Sequence, residues 1–331
     1  MSEPLISILL PVYNAEPYLS ACLDSIHQQS YQNWELVAVN NGSTDSSFNT
    51  LKTYAQKDRR IRVFDHPIKG TILALRKAYE QANGQWITRM DADDKMPIQK
   101  LEKLFAGLEG QSGKVATGLV AYFSDEGSAG PGFIRYGEWL NQLTLSGRNF
   151  EAIYKECVIA SPCWMLHRSD LDRIGAFEPD RYPEDYDLVF RMYRAGLELV
   201  AIPEVLHLWR DHSSRASRTD PNYQDQQFLD LKLDYFFELD RDRSKDLLIW
   251  GAGRKAKVLA KQLIARSEAF VWTTENPKKQ EIWIYAQCLR DPQQLALTDY
   301  QILVAISSPV DLTRLQAKLV EHESVIYLYA S

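Results

Sequence analysis

A chain of 331 residues is longer than one small hydrophobic core usually organises, so its length predicts about two units. With 45% hydrophobic and 25% charged residues it has the composition of an ordinary globular protein and not of a disordered one. Its 44 acidic and 38 basic residues leave a formal charge of -6, which argues against a broad nucleic-acid-binding surface but not against a local basic cleft that holds phosphates.

From the N-terminus, short β-rich runs alternate with amphipathic stretches. Leu5 to Leu10 precedes Tyr18 to Gln29, and Trp34 to Val39 precedes Ser46 to Lys57. Ile61 to Asp65 then leads into Thr71 to Ala82, and Trp86 to Met90 into Ile98 to Leu108. Such alternation predicts a mostly parallel sheet covered by helices. Ligands of such sheets gather at the carboxyl ends of the strands, so the loops after Leu10, Val39, Asp65 and Met90 are expected to converge on one crevice.

Ser112 to Gly147, rich in Gly and Ser, breaks the alternation and reads as a strand followed by long loops. Pro183-Glu184-Asp185 opens a helix with Leu188 and Met192 on one face and Gly196 as its stop. Glu204 to Leu208 is strand-like. Phe228, Leu231, Tyr235 and Leu239 recur near helical spacing in the stretch Tyr223 to Leu239, and the charged run Asp240 to Asp246 follows. This divides the chain into residues 1–220, a helical linker over 221–244 and a module over 245–331. The linker's acidic polar face favours packing between domains over peripheral membrane association.

The last module begins with the strand-like Leu247 to Trp250, then Gly251-Ala252-Gly253-Arg254-Lys255-Ala256, then an amphipathic helix from Lys257 to Arg266. Gly-x-Gly-x-x-Ala between a strand and a helix permits a tight turn and backbone approach to a pyrophosphate, so the segment resembles a small Rossmann-like α/β domain. Strands near Ala269 to Thr273 and Gln301 to Ile306 fit that reading, and Glu275 lies near where a ribose-binding acid would sit. The remaining length is too short for a full dinucleotide domain, which favours a structural or regulatory module.

Chemistry concentrates at Asp91-Ala92-Asp93-Asp94, directly after the run Trp86 to Met90. In extended chain, residues two apart point the same way, so Asp91 and Asp93 can face one ligand while Ala92 leaves space beside the backbone. Mg²⁺ or Mn²⁺ on a nucleoside diphosphate is typically held by one or two carboxylates plus phosphate oxygens and water, a set this cluster can supply. Taken alone, the cluster reads equally well as helix capping by Asp93 or Asp94.

Two further turns bear on the choice: Pro11-Val12-Tyr13-Asn14-Ala15-Glu16 after the first strand and Asn40-Asn41-Gly42-Ser43-Thr44-Asp45 after the second. Together with Asp91 to Asp94, with Gly70 and Arg76 ahead of Ala82-Asn83-Gly84, and with Glu184-Asp185-Tyr186-Asp187-Leu188 and Arg191, these turns resemble the family-2 glycosyltransferases of the GT-A fold. The resemblance runs from about residue 4 to 217. It implies an inverting, metal-dependent transferase that moves a sugar from a nucleotide-sugar donor to a saccharide or lipid-linked saccharide acceptor in cell-surface polysaccharide synthesis.

By that resemblance Pro11, Tyr13, Asn14 and Glu16 line the nucleoside site, Arg76 neutralises phosphate, and Asp91 and Ala92 face the ribose and diphosphate. Asp93 is the preferred metal ligand, with Asp91 and His212 completing the site for Mn²⁺ or Mg²⁺. Asp185, with Glu184 beside it, becomes the catalytic base. Asn41 departs from the family's acidic residue, so a UDP-sugar is preferred while cytosine or another base stays open. Trp164 either stacks on a sugar ring or fills the core, and core is favoured.

A sugar-nucleotide pyrophosphorylase would carry a Gly-rich, basic loop after the first strand, which Pro11 to Pro17 does not supply. Asn41 and the appended module favour a non-catalytic nucleotide-binding scaffold; the intact Asp91, Asp93 and Asp185 argue against it. Four scattered cysteines, Cys22, Cys157, Cys163 and Cys288, read as packing residues in a reducing compartment. With strand-like sequence from Leu5 and no apolar run of about 18 residues, the expected home is the cytoplasm, with the inner face of the membrane as an extension of it. Nucleic acid is not an expected partner.

Overall fold

The computed structural model describes residues 3–125, 127–213, 215, 225–306 and 308–329. Internal contacts divide the chain into two compact units, residues 1–150 with 158–223 and residues 151–157 with 224–331.

The first unit begins with the alternation expected: β1 (Ile6–Val12), α1 (Glu16–His27), β2 (Trp34–Asn40), α2 (Ser47–Lys57), β3 (Ile61–Asp65), α3 (Thr71–Gln81), β4 (Trp86–Arg89) and α4 (Lys100–Leu108). It continues with β5 (Lys114–Phe123), α5 (Pro131–Ser146), β6 (Trp164–His167), α6 (Arg168–Arg173), α7 (Glu184–Arg194) and β7 (Glu198–Arg210). The seven strands lie in the order β3-β2-β1-β4-β6-β5-β7. Only β6 runs against its neighbours, pairing antiparallel with β4 and β5. The carboxyl ends of β1 to β4 and of β7 therefore share one sheet edge.

The central strands are buried on both faces, as helix-covered parallel strands are, with Ile6, Ile8, Leu9 and Leu10 of β1 and Leu36 to Val39 of β2 inaccessible to solvent. Below them, at the opposite edge, Glu35 is buried and fully engaged. It accepts from Ser7 Oγ at 2.7 Å, from Arg62 Nη1 at 2.9 Å and from Asn83 Nδ2 at 3.0 Å. Gly84 donates its N–H to the same Ser7 hydroxyl at 2.7 Å, and a Cβ on Gly84 would stand 2.6 Å from the Ser7 nitrogen. Ala82-Asn83-Gly84 is thus a clamp at the base of the sheet, remote from the strand ends that bear the acidic residues.

Two elements differ from the sequence reading. The long loops expected before Gly147 are largely α5, a 16-residue helix with Pro131 in its first turn and Gly147 in the left-handed region after its end. Its internal Gly132 and Gly137 weaken the helical signal, while Leu140 and Thr144 supply its buried face. The strand read as Glu204 to Leu208 is thirteen residues long and contains Pro203. β7 lies at the edge of the sheet, where a missing N–H is tolerated, and its register against β5 shifts beside that proline.

The second unit holds α8 (Asp225–Tyr235), β8 (Asp246–Trp250), α9 (Arg254–Ala265), β9 (Phe270–Thr273), β10 (Trp283–Ile284), β11 (Gln287–Arg290), β12 (Tyr300–Val304), α10 (Pro309–Lys318) and β13 (Val325–Tyr327). Its sheet runs β10-β11-β9-β8-β12-β13, parallel except for the β10–β11 hairpin. Leu231 and Tyr235 of α8 are buried, and the Lys232 ammonium donates to the carbonyls of Lys155 and Leu328 within this unit. Tyr223, where the sequence reading begins this helical stretch, lies outside the described residues. All four cysteines are free, and among the described residues no helix is long and apolar enough to cross a membrane.

Candidate active site

The loops that follow β1 and β2 are laced together. Asn14 sits in the left-handed region at φ 46°, a conformation asparagine tolerates. From there its side-chain oxygen accepts the Thr44 N–H at 2.8 Å, and its own N–H donates to Ser43 Oγ at 3.1 Å. Glu16 is bonded twice to the Asp45-Ser46 turn: its N–H donates to Asp45 Oδ2 at 3.0 Å, and its Oε2 accepts from the Ser46 N–H at 3.1 Å. Tyr13 is exposed, with the Lys69 ammonium 4.2 Å from its ring centroid. Pro11 pairs with Val39 in the sheet.

Asn41 is buried, and its side-chain oxygen accepts the Gly70 N–H at 2.9 Å. Its first task is therefore to hold the Lys69-Gly70 turn against the β2 loop. The Arg76 guanidinium is likewise committed within the protein. It donates to the carbonyls of Phe177 at 3.2 Å and Glu178 at 2.6 Å and to Asp180 at 3.0 Å, which makes it an anchor of that loop.

At the end of β4 the three carboxylates have three environments. Asp91 accepts from Arg89 Nε at 3.0 Å, and Arg89 Nη1 reaches Glu184 Oε1 at 3.2 Å. Arg89 and Glu184 are both buried, so one guanidinium ties the acidic loop to the start of α7. Burial pushes the Asp91 carboxyl up, against the opposing pull of Arg89.

Asp93 Oδ2 lies 2.9 Å from His212 Nε2. Burial alone would raise Asp93, but the His212 hydrogen bond and the Arg215 charge outweigh it and hold the carboxyl below its ordinary range. The His212 ring rests 4.5 Å from that of Tyr18 on α1. Arg210 donates to the Asp93 carbonyl at 2.7 Å and pairs with Asp125. Ala92, between the two acids, is almost fully buried.

Asp94 is inaccessible and accepts two hydrogen bonds, from the Arg210 N–H at 2.8 Å and from His207 Nε2 at 2.9 Å. On the far side of that imidazole, Lys100 Nζ lies 3.2 Å from His207 Nδ1 and donates to the Pro162 carbonyl at 2.5 Å. An ammonium only donates, so His207 accepts at Nδ1 and carries its proton on Nε2, which it donates to Asp94. Burial, with the Lys100 charge second, pushes the His207 pKa well below its ordinary value, consistent with a neutral ring. This buried chain fixes the end of β7, and with it His212, relative to the acidic loop. The sequence carried a signal for it: Lys100 falls on the stripe of α4 shared with Leu104 and Leu108, an apolar position.

Asp185, one residue into α7, accepts from the Tyr186 N–H at 2.8 Å. Burial and then the neighbouring Glu184 carboxylate raise its pKa to about 7. A carboxylate so adjusted is suited to taking a proton near neutral pH. Trp164 is buried core, as favoured from the sequence.

Among the described residues no three His, Cys, Asp or Glu side chains form a ready cage for a cation. The donor set still fits a Mg²⁺- or Mn²⁺-type ion that brings its own phosphate and water ligands, because Asp93 and His212 already converge to hydrogen-bonding distance with Asp91 two residues away.

The model of the family "Glycosyl transferase family 2" matches residues 7–175, about half of the chain. An uncharacterized glycosyltransferase of Haemophilus influenzae is 44% identical over 104 residues, which is 31% of this chain and 42% of that protein. The chain therefore spans less than half the length of that relative. Glycosyltransferase GlyG of Streptococcus pneumoniae is 29% identical over 227 residues, 66% of this chain and 75% of that protein. Among solved structures, S. aureus TarS residues 1-349 in complex with UDP-GlcNAc aligns over 79% of this chain and 72% of its own, with a TM-score of 0.57 at 18% identity. Mannosyltransferase PcManGT from Pyrobaculum calidifontis, in complex with GDP-Man and Mn²⁺, covers 81% of each chain with a TM-score of 0.50 at 16% identity. These likenesses agree with the α/β architecture of the first unit as a GT-A-like fold. On the extent of the family match, the chain belongs to glycosyltransferase family 2.

Proposed function

We propose that this chain is an inverting glycosyltransferase that moves a sugar from a nucleotide-sugar donor, with UDP preferred, to a saccharide or lipid-linked saccharide acceptor during synthesis of a cell-surface polysaccharide. The observation that carries the reading is the Asp91–Arg89–Glu184 bridge, which ties the loop after β4 to the start of α7, where the Asp91 charge acts on Asp185. Support for a nucleotide-sugar donor comes from the two solved neighbours, one holding UDP-GlcNAc and the other GDP-Man with Mn²⁺.

In this reading Pro11, Tyr13, Asn14, Glu16 and Asn41 shape the nucleoside pocket, and Asp91 and Ala92 border the ribose and diphosphate. Asp93 and His212, with Asp91, would hold Mn²⁺ or Mg²⁺, which when bound neutralises charge on the departing diphosphate. Asp185 takes the proton of the acceptor hydroxyl as that oxygen forms its bond to the anomeric carbon. The bond from that carbon to the diphosphate oxygen breaks on the opposite face, and its electron pair leaves with the nucleoside diphosphate. Glu184 keeps Asp185 basic through its charge, while Arg89 holds Glu184 and opposes that rise. Arg76 anchors the Phe177–Asp180 loop.

A panel of UDP-, GDP- and CDP-sugars incubated with Mn²⁺ or Mg²⁺, with release of nucleoside diphosphate as readout, tests the proposal. One donor is expected to be turned over in a metal-dependent way; no release from any donor, with any acceptor saccharide, would contradict it.

A further inference from the structure

The second unit contains an open cavity of about 430 Å³ that the transfer reaction leaves unused. It lies at the start of α9, where Gly251 and Gly253 lead from β8 into the helix. Arg254, Lys257 and Lys261 line it from the helix, Lys279 from the loop after β9, and Tyr285 from the β10–β11 hairpin. Four cations share this volume, and no carboxylate lines it. Arg254, Lys257 and Lys261 recur at i, i+3 and i+7 on one face of α9, while Ala256, Leu259, Ala260 and Leu263 bury the other. Among the described residues none of these three is ion-paired with an acid, and Lys279 donates only to the Ala252 carbonyl, at 3.2 Å.

Concentrating like charges around one concavity is unfavourable unless an anion offsets them. The backbone adds to the same field. α9 has no acidic residue in its first turn and no side chain capping its free N–H groups, and nothing within 4 Å occupies the space a Gly253 side chain would fill. Gly251, at φ 132°, brings the turn against β12, where a Cβ would stand 2.7 Å from the Ala305 carbonyl oxygen. Glu275, the acid that a dinucleotide ribose would require, is instead paired with Lys318 at 3.0 Å. The charge count therefore exceeds what one phosphate requires, and the contact that would select a dinucleotide is engaged elsewhere.

We infer that this cavity is a second anion site that takes a diphosphate group, free or carried by a nucleotide, independently of the β4 acidic loop. The test is calorimetric titration of the full chain with inorganic pyrophosphate and with ADP, in chelator and without divalent metal, comparing wild type, Lys257→Glu/Lys261→Glu and Asp93→Ala. Both substituted lysines sit on the outer face of α9, and circular dichroism checks that the fold is kept. Saturable binding at one equivalent is expected, weakened at least about tenfold by the double charge reversal and unchanged by Asp93→Ala. ADP binding more tightly than pyrophosphate identifies a nucleotide as the occupant; equal affinities identify the diphosphate alone. Absence of saturable binding, or binding lost in Asp93→Ala and kept in the double variant, overturns the inference.

Discussion

Arg89 Nη1 lies 3.2 Å from Glu184 Oε1 across 95 residues of sequence, and both side chains are buried. Removing one partner of a buried ion pair leaves the other charge without compensation, at a cost of about 3 kcal/mol. Arg89→Met is therefore expected to lower stability by that order in urea denaturation. Because Arg89 also holds Asp185 down, the same variant should move the half-maximal pH for transfer upward, which loss of packing alone would not do.

Asp185 supplies a pH prediction with two signs. Its pKa in the folded chain is about 7, above the ordinary carboxylate value, so transfer that needs its ionised form should rise through pH 7 and level off above it. For stability the raised value works the other way. Between the ordinary carboxylate range and about pH 7 the folded state holds a proton that the unfolded state has released, so this group's contribution falls as pH rises. Asp185→Asn should lower transfer by about 10²-fold or more while making the protein more stable at pH 8 than the unsubstituted chain, with little difference at pH 4. Equal denaturation midpoints at pH 8 would remove the second half of this expectation.

His207 divides a donor role from a packing role. His207→Phe leaves Lys100 and Asp94 buried without their shared partner and should destabilise by about 3 kcal/mol. His207→Gln keeps a donor near the position of Nε2 and should recover part of that loss. If the two variants unfold at the same urea concentration, the hydrogen bond to Asp94 contributes nothing.

The strand and helix alternation from β1 to α4 was legible because each segment is long enough to display its own period, and parallel strands ending at one edge assemble their loops without further information. Hence Asp91, Asp93, Asn14 and Asn41 could be placed near one another from their positions after strands. What was not legible depends on distant partners. Nothing local to Asn41 shows that Gly70 will occupy its oxygen, and nothing local to Arg76 shows that the Phe177–Asp180 loop will use its guanidinium. α5 was obscured by its glycines, and the full length of β7 by Pro203, which an edge strand accommodates.

Asn41 also bears on base selection. Its oxygen already accepts from Gly70, so Asn41→Asp replaces an amide with a charged acceptor that can serve the same N–H and a base N–H together. The ranking of UDP, CDP and GDP in competition binding should change in favour of UDP. An unchanged ranking would remove Asn41 from base recognition.

Gly84 tests the clamp beneath the sheet. A methyl group there meets the Ser7 backbone nitrogen at 2.6 Å and the Leu5 carbonyl oxygen at 2.8 Å, neither of which can rotate away. Gly84→Ala should cost about 1–3 kcal/mol in denaturant unfolding.

In the proposed mechanism, carboxylates of the β4 loop hold a cation on the donor's diphosphate. Mn²⁺-dependent release of nucleoside diphosphate, followed as the metal is titrated into wild type and Asp93→Ala, addresses this most directly. The variant is expected to require at least about tenfold more Mn²⁺ for half-maximal release, or to show none. Release by Asp93→Ala at the wild-type rate, with the wild-type dependence on Mn²⁺, would contradict it.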